Sequence, residues 1–127
     1  MNLLLLASLG GAIGAGARYL VNLACTLCLA SRFPWATLIV NVAGSFLMGC
    51  VVAALVPYFG DSQAVRTFLA TGILGGFTTF SAFSLDAVEL FERGEMGAFT
   101  LYVVGSVVLS ILALVLGVGV IRMGLAR

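Results

Sequence analysis

Long apolar runs separated by short polar breaks organise the whole chain. Four runs contain a single charged residue between them, Arg18, and cover residues 3–30, 35–56, 67–85 and 96–121. A membrane-spanning helix needs about 20 apolar residues, so each run is long enough to cross a bilayer once. The pattern predicts an all-α integral membrane protein with four transmembrane helices, forming one transmembrane domain over residues 1–127.

Prolines and charges mark the predicted ends of the runs. Pro34 and Pro57 bracket the second run, and residues 57–63 are expected to form a short polar loop. The third run continues into a charged turn with four charged side chains, those of Asp86, Glu89, Glu92 and Arg93. Barrel strands are excluded because the runs are too long and do not alternate between apolar and polar residues.

Composition narrows the function. The 127 residues are 62% apolar and 9% charged, and they include no lysine or histidine, whereas soluble domains carry roughly 25% charged residues. So few ionisable groups argue against an enzyme that uses acid, base or metal chemistry. The six arginines are scattered, which gives no basic surface for nucleic acid. The first run has no basic segment before it and no cleavage motif, so we expect it to be retained.

Arginine placement hardly favours one orientation in the membrane. With four spans, Arg66, Arg122 and Arg127 share one side with the N-terminus, and Arg32 and Arg93 share the other. Cytoplasmic loops normally carry the excess of basic residues, but here the difference is one arginine. The sequence leaves two alternatives open, insertion in both orientations or weak preference for a cytoplasmic N-terminus.

Glycines at four-residue spacing predict close helix contacts. Gly10 with Gly14, and Gly72 with Gly76, each form the small-residue face that lets transmembrane helices approach closely. Four short helices enclose little volume, however, so an aqueous pathway would need two copies of the chain. We therefore expect a homodimer.

The third run contains a stretch that favours a broken helix. Gly75 and Gly76 are followed by Thr78 and Thr79, and glycine and threonine are poor helix formers. Broken transmembrane helices expose carbonyl groups that bind cations, and the carbonyls of Gly75 and Thr78 are placed for this. The alternative is a regular helix whose glycines only pack against a neighbour.

Polar side chains recur every four residues on two otherwise apolar helices. The second run has Thr37, Asn41 and Ser45 at this spacing, and the fourth has Tyr102, Ser106 and Ser110. Burying the Asn41 amide in hydrocarbon without a partner would cost several kcal/mol. The two stripes predict a polar pathway, or alternatively hydrogen bonds between helices.

Three further side chains are candidates for binding an anion. Arg18 is the one ionisable group deep inside a run; it could attract anions, or it could reach to the membrane interface. Phe80 and Phe83 share a helical face and could present the positive edges of their rings, or simply pack in the core. The runs contain no acidic residue, which argues against proton-coupled transport.

Three sequence stretches resemble the small bacterial fluoride channels of the Fluc or CrcB family. They are GGAIGAGARY at residues 10–19, NVAGSF at residues 41–46 and GGFTTFSAFS at residues 75–84. The resemblance covers all four runs in the same order, and the third stretch is highly specific. Ala82 is a departure, because the family commonly has threonine at that position.

The resemblance implies a passive fluoride-selective channel in the bacterial inner membrane that exports fluoride and protects the cell from its toxicity. It implies an antiparallel, dual-topology homodimer in the lipid bilayer with two fluoride pores. A structural sodium ion, which is not transported, would be held by the carbonyls of Gly75 and Thr78. The matching pore residues are Asn41, Phe80, Phe83, Ser106 and Ser110, with Thr37, Thr79 and Tyr102 as neighbours, and the vestibule residue is Arg18.

Two other classes of protein have similar sequence features. A small four-span multidrug exporter has the same size but relies on a glutamate in its first span, where this chain has Arg18. A scaffold subunit without transport activity would use the glycines and hydroxyls for packing only. Anion flux through the purified protein would distinguish these alternatives.

Overall fold

Four membrane-length helical spans form the fold, as the hydrophobic pattern predicts. The computed structural model describes residues 2–29 and 31–126, so the predicted end of the first run at Ala30, and Arg127, lie outside the described residues. All four spans are long and apolar enough to cross a membrane. The helices are α1 (Leu3–Cys28), α2 (Trp35–Phe59), α3 (Gln63–Arg66), a π-helical segment (Thr67–Leu74), α4 (Gly75–Phe77), α5 (Phe80–Glu92) and α6 (Met96–Leu125).

The second helix ends later than the sequence predicts. Pro57 lies inside α2, which continues to Phe59, so the predicted end at residue 56 and the polar loop over residues 57–63 are wrong. The helix ends at Gly60, which has the left-handed conformation (φ 60°, ψ 33°) that glycine adopts without steric cost. Its N–H donates to the carbonyl of Val56, and this glycine cap, rather than the proline, terminates the helix.

The third span is broken, but after the adjacent glycines rather than at them. Gly75 and Gly76 are helical, and the two residues that leave the helix are Thr78 (φ −75°, ψ 157°) and Thr79 (φ −153°, ψ 120°). β-Branched threonines prefer this extended conformation. Because Gly76 packs closely on α1, this glycine is needed for the contact, and the threonines form the break.

Glycines also determine which helices touch. A Cβ on Gly10 would lie 2.6 Å from the Phe68 carbonyl oxygen, and a Cβ on Gly14 would lie 2.7 Å from the Phe77 amide nitrogen. Gly76 approaches the backbone of Gly11 in the same way. The predicted close contact through small residues is therefore confirmed between α1 and the first half of the third span.

Two turns at one membrane face are joined by a hydrogen bond. Arg93 ends α5, and its side chain donates to the carbonyl of Arg32 over 3.1 Å and contacts Glu95 at 3.1 Å. The predicted charged turn is instead a regular helix, since Asp86, Glu89 and Glu92 belong to α5. The turn itself comes later, at Gly94, whose φ is 72°.

Candidate functional site

An open groove of about 410 Å³ lies beside the break, between α2, α5 and α6. Seven of its lining residues are site candidates from the sequence, namely Asn41, Thr78, Thr79, Phe80, Phe83, Ser106 and Ser110. Ser45 from the α2 stripe also lines it, and Met48, Ile111 and Leu114 provide apolar walls. The fold thus brings two residues of each polar stripe and both phenylalanines to one place.

Asn41 is bonded to the backbone of the break. Its amide group donates to the Thr79 carbonyl over 3.0 Å, and its carbonyl oxygen accepts from the Thr79 N–H over 2.8 Å. The pair joins residues that are 38 positions apart in the chain. A backbone N–H that leaves the helix inside a membrane needs a partner, and Asn41 provides it. One of the two amide hydrogens remains available to the groove.

Thr79 also begins the second half of the third span. Its hydroxyl oxygen accepts from the Ala82 N–H over 3.2 Å and lies 3.3 Å from the Ser81 hydroxyl. This is an N-cap at the start of the 13-residue α5. The N-terminus of a helix carries partial positive charge from its unpaired N–H groups, so the groove has a positive helix end in its wall without a charged side chain.

Ser106 presents an unusual hydroxyl. Its side chain is 4% exposed, and its Oγ has no hydrogen-bond partner among residues 2–29 and 31–126. A buried polar atom normally has a partner in the protein or an ordered ligand or water. Because Ser106 lines the groove, its unused hydrogen-bonding capacity lies next to the groove.

The two phenylalanines differ in their surroundings. Phe80 is 77% exposed, and its ring centroid is 5.4 Å from that of Phe83. Phe83 also packs on Tyr102, with centroids 5.3 Å apart. Phe83 is therefore supported by the core of its own chain, whereas Phe80 projects from it.

Thr37 and Tyr102 lie at one end of the polar stripes rather than in the groove. Tyr102 is fully buried, and its hydroxyl donates to Asp86 over 2.9 Å. Thr37 and Asp86 line a second, polar cavity of about 230 Å³ beside residues 31–34. Asp86 was not predicted from the sequence as the partner of Tyr102. Its position three residues after Phe83, on the same helical face, was the available signal.

The first half of the third span ends with carbonyl groups that lie next to the break. The Thr78 N–H and hydroxyl both bond to the Leu74 carbonyl, and the last carbonyls of α4 have no following helical turn to accept from. Such oxygens, at the negative end of a helix, are suitable ligands for a hard cation. The carbonyls of Gly75 and Thr78 lie in this region, so the backbone fits the sodium site that the resemblance implies.

Arg18 lies apart from both cavities. It is half-buried on α1, and it lines neither the groove nor the polar cavity near residues 31–34. The groove within one chain is consequently lined by uncharged side chains. Any role of Arg18 would concern the approach to the site rather than the groove itself.

Comparison with known proteins gives the same assignment as the residues. Residues 5–118 match the family model described as CrcB-like protein, Camphor Resistance (CrcB). A Chelativorans sp. (strain BNC1) relative named Fluoride-specific ion channel FluC is 56% identical over 119 residues, which cover 94% of this chain and 95% of the relative. Proteins of the same name from Nitrobacter winogradskyi and Rhizobium meliloti are 49% and 48% identical and cover 89% and 96% of this chain, and 90% and 98% of their own.

These relatives are named as channels and not as enzymes or multidrug exporters, so the exporter alternative has no support. The family model covers the region from α1 to α6, including the break and both polar stripes. Identity near one half extends over nearly the full length of both chains. This multi-pass membrane protein belongs to the CrcB-like family.

Proposed function

We propose that the protein is a passive fluoride-selective channel that lets fluoride leave the cell. The observation that carries this proposal is the uncharged groove, whose lining includes Asn41, the rings of Phe80 and Phe83, and Ser106, whose buried hydroxyl has no partner among the described residues. The names of the relatives support the same ion.

The chemistry of the groove suits a small, strongly hydrated anion. A selective pore must replace the water of hydration with hydrogen-bond donors, yet it must bind weakly enough to release the ion. Hydroxyl, amide and aromatic-edge donors meet both conditions. An arginine in the groove would hold the anion too strongly, and an aspartate would repel it. We expect fluoride to pass from Ser106 and Ser110 to the two rings.

We propose further that two antiparallel copies form the channel. The polar stripes occupy only the first halves of α2 and α6. These halves follow the two turns that the hydrogen bond between Arg93 and Arg32 joins. The remaining halves, residues 46–57 and 111–121, contain no Ser, Thr, Asn or Gln. An inverted second copy would supply polar side chains to the other half of the membrane.

The open groove also supports a second copy. Its volume of about 410 Å³ far exceeds the roughly 10–15 Å³ that one water needs, so one chain cannot exclude water from a small ion.

The surroundings of Gly75 are also consistent with a second copy. A Cβ there would meet only the Ala70 carbonyl, at 3.5 Å, among the described residues. Contacts within the chain therefore do not require glycine here, and the space beside it is open to a second copy.

A sodium ion would link the two breaks in the proposed dimer. We assign its ligands to the main-chain carbonyls of Gly75 and Thr78, because the first half of the third span ends there. When bound, the ion would neutralise carbonyl dipoles and hold the break open without crossing the membrane. The channel would act in the inner membrane of a bacterium, with Arg18 near its vestibule.

Fluoride efflux from liposomes that contain only the purified protein tests the function. We expect rapid fluoride release and little chloride release, and release of neither ion would contradict the proposal. Release of a cationic drug instead would indicate an exporter. Labelling of single cysteines in the turns, in a background without Cys25, Cys28 and Cys50, should find both orientations; one orientation alone would exclude the antiparallel dimer.

A further inference from the structure

Asn41 connects a polar stripe to the broken backbone, and this connection carries an inference that rests on the proposed function. The residue belongs to the groove lining, where the proposed role is to donate to fluoride. The structure shows a second use of the same side chain. Both its oxygen and its nitrogen are bonded to one residue, Thr79, over 2.8 and 3.0 Å.

The two bonds close a ring between a side-chain amide and a backbone residue. Asn41 comes from α2, while Thr79 lies between α4 and α5. The bonds therefore fix α2 to the point where the third span changes direction. A single bond would leave the Thr79 residue free to rotate, whereas two opposed bonds set both its position and its orientation.

The orientation of Thr79 determines how α5 begins. The Thr79 hydroxyl caps α5 through the Ala82 N–H, and Phe80 is the first residue of α5. Rotation of Thr79 would lose the cap and turn Phe80 and the positive end of α5 away from the groove. Fixing one residue therefore fixes the cap, the ring and the helix end together.

We infer that Asn41 is a positioning residue, which holds the start of α5 through Thr79, in addition to any contact with the ion. If conduction depends on the hydrogen-bonded ring, then removal of the Thr79 N–H should impair conduction even when Asn41 is intact. If Asn41 acts only as an ion ligand, then the Thr79 N–H is irrelevant to conduction. The two roles thus differ in their dependence on a backbone atom that does not contact the ion.

The experiment compares fluoride efflux through three variants. The first replaces the backbone amide of Thr79 by an ester, which removes its N–H; the second is Asn41→Leu; and the third carries both changes. The control is the same ester at Val88, which is 53% exposed on α5. We expect the Thr79 ester to lower fluoride efflux about tenfold or more, since the half-buried amide oxygen of Asn41 loses its donor, and the Val88 ester to have little effect. The combined variant should be no slower than Asn41→Leu alone, because both changes break the same ring.

A Thr79 ester that conducts as fast as the Val88 ester would overturn the inference. So would a combined variant whose rate falls by the product of the two separate effects. If the variants do not fold, amide hydrogen exchange of the wild-type protein still tests whether Asn41 holds Thr79. The Thr79 N–H should exchange much more slowly than the Phe80 N–H, which begins α5; equal rates would overturn the inference.

The exchange measurement also separates this inference from the proposed function. Wild-type protein that carries no fluoride would contradict the channel assignment. Slow exchange at Thr79 in the same protein would still support Asn41 as the residue that positions the break. Fast exchange in a protein that conducts fluoride would leave the channel assignment intact and remove the positioning role.

Discussion

The hydroxyl of Tyr102 donates a 2.9 Å hydrogen bond to the carboxylate of Asp86, which joins α6 to α5. Tyr102 is fully buried and belongs to a cluster with Ala87 and Leu90. Asp86 lines the polar cavity near residues 31–34, and Phe83, which packs on Tyr102, lines the groove. Tyr102 is thus a structural link between the two cavities.

Tyr102→Phe should destabilise the protein, because the half-buried carboxylate of Asp86 would lose the hydrogen bond that the tyrosine hydroxyl donates. We expect the free energy of unfolding to fall by about 1–3 kcal/mol, measured by denaturant titration in detergent. Tyr19→Phe is the matched control, since Tyr19 is 67% exposed. Equal stability of the two variants would show that the bond contributes nothing.

Ser106→Ala should separate conduction from stability. The hydroxyl has no partner among the described residues, so its removal should leave the free energy of unfolding unchanged or raise it by about 1 kcal/mol. Fluoride efflux should nevertheless fall. Thr100→Ala, at an exposed hydroxyl bonded to the Met96 carbonyl, should leave efflux unchanged. A destabilised Ser106→Ala variant with normal efflux would place Ser106 in the packing core.

Phe80→Leu and Phe83→Leu should reduce efflux similarly but affect stability differently. Both lose an aromatic edge while nearly keeping apolar volume. Phe83 packs on Tyr102, so its replacement should cost about 0.5–1.5 kcal/mol of unfolding free energy. Phe80 is 77% exposed, so its replacement should cost the folded monomer almost nothing. Wild-type efflux in both variants would remove the rings from the ion path.

Gly14→Ala and Gly16→Ala test the contact between α1 and the third span. A Cβ on Gly14 would lie 2.7 Å from the Phe77 amide nitrogen, whereas a Cβ on Gly16 has nothing within 4 Å among the described residues. We expect Gly14→Ala to lower the free energy of unfolding by about 1–3 kcal/mol. Gly16→Ala should raise it by up to about 1 kcal/mol through better helix propensity.

Gly75→Ala should test the proposed dimer rather than the break. Gly75 is already helical, so alanine does not restore a missing turn, and the space inside the chain is sufficient. If a second copy packs at this position, then the added methyl group should weaken dimerisation at least several-fold, as measured by dilution in lipid with single-molecule counting. Gly97→Ala, on α6 near a turn, is the control. Unchanged dimerisation would place the interface elsewhere.

The sequence predicts the spans well because lipid imposes a simple rule. Backbone groups must bond within a helix, so a long apolar run has one available structure. The exact end of α2 was not predictable from Pro57, because a proline in the last turn sacrifices only one hydrogen bond and the Gly60 cap decides the end.

The groove was partly predictable for a similar reason. Four-residue spacing places Asn41 and Ser45, and Ser106 and Ser110, on the same faces of their helices, and these residues do meet in the groove. The bonds from Asn41 to Thr79 and from Tyr102 to Asp86 were not predictable. They depend on how far each helix is rotated about its axis, and tertiary packing sets that rotation.

The π-helical segment of residues 67–74 has a consequence for how such chains change length over evolution. A π-helix fits more residues into each turn than an α-helix, and here the Gly75 N–H reaches back five residues to the Ala70 carbonyl. Loss of one residue within this stretch can be absorbed by rewinding to α-helix, while the break at Thr78 and Thr79 keeps its place against α2. The same loss within α5 would rotate every later side chain away from the groove. Deletions should therefore be tolerated on one side of the break and eliminated on the other.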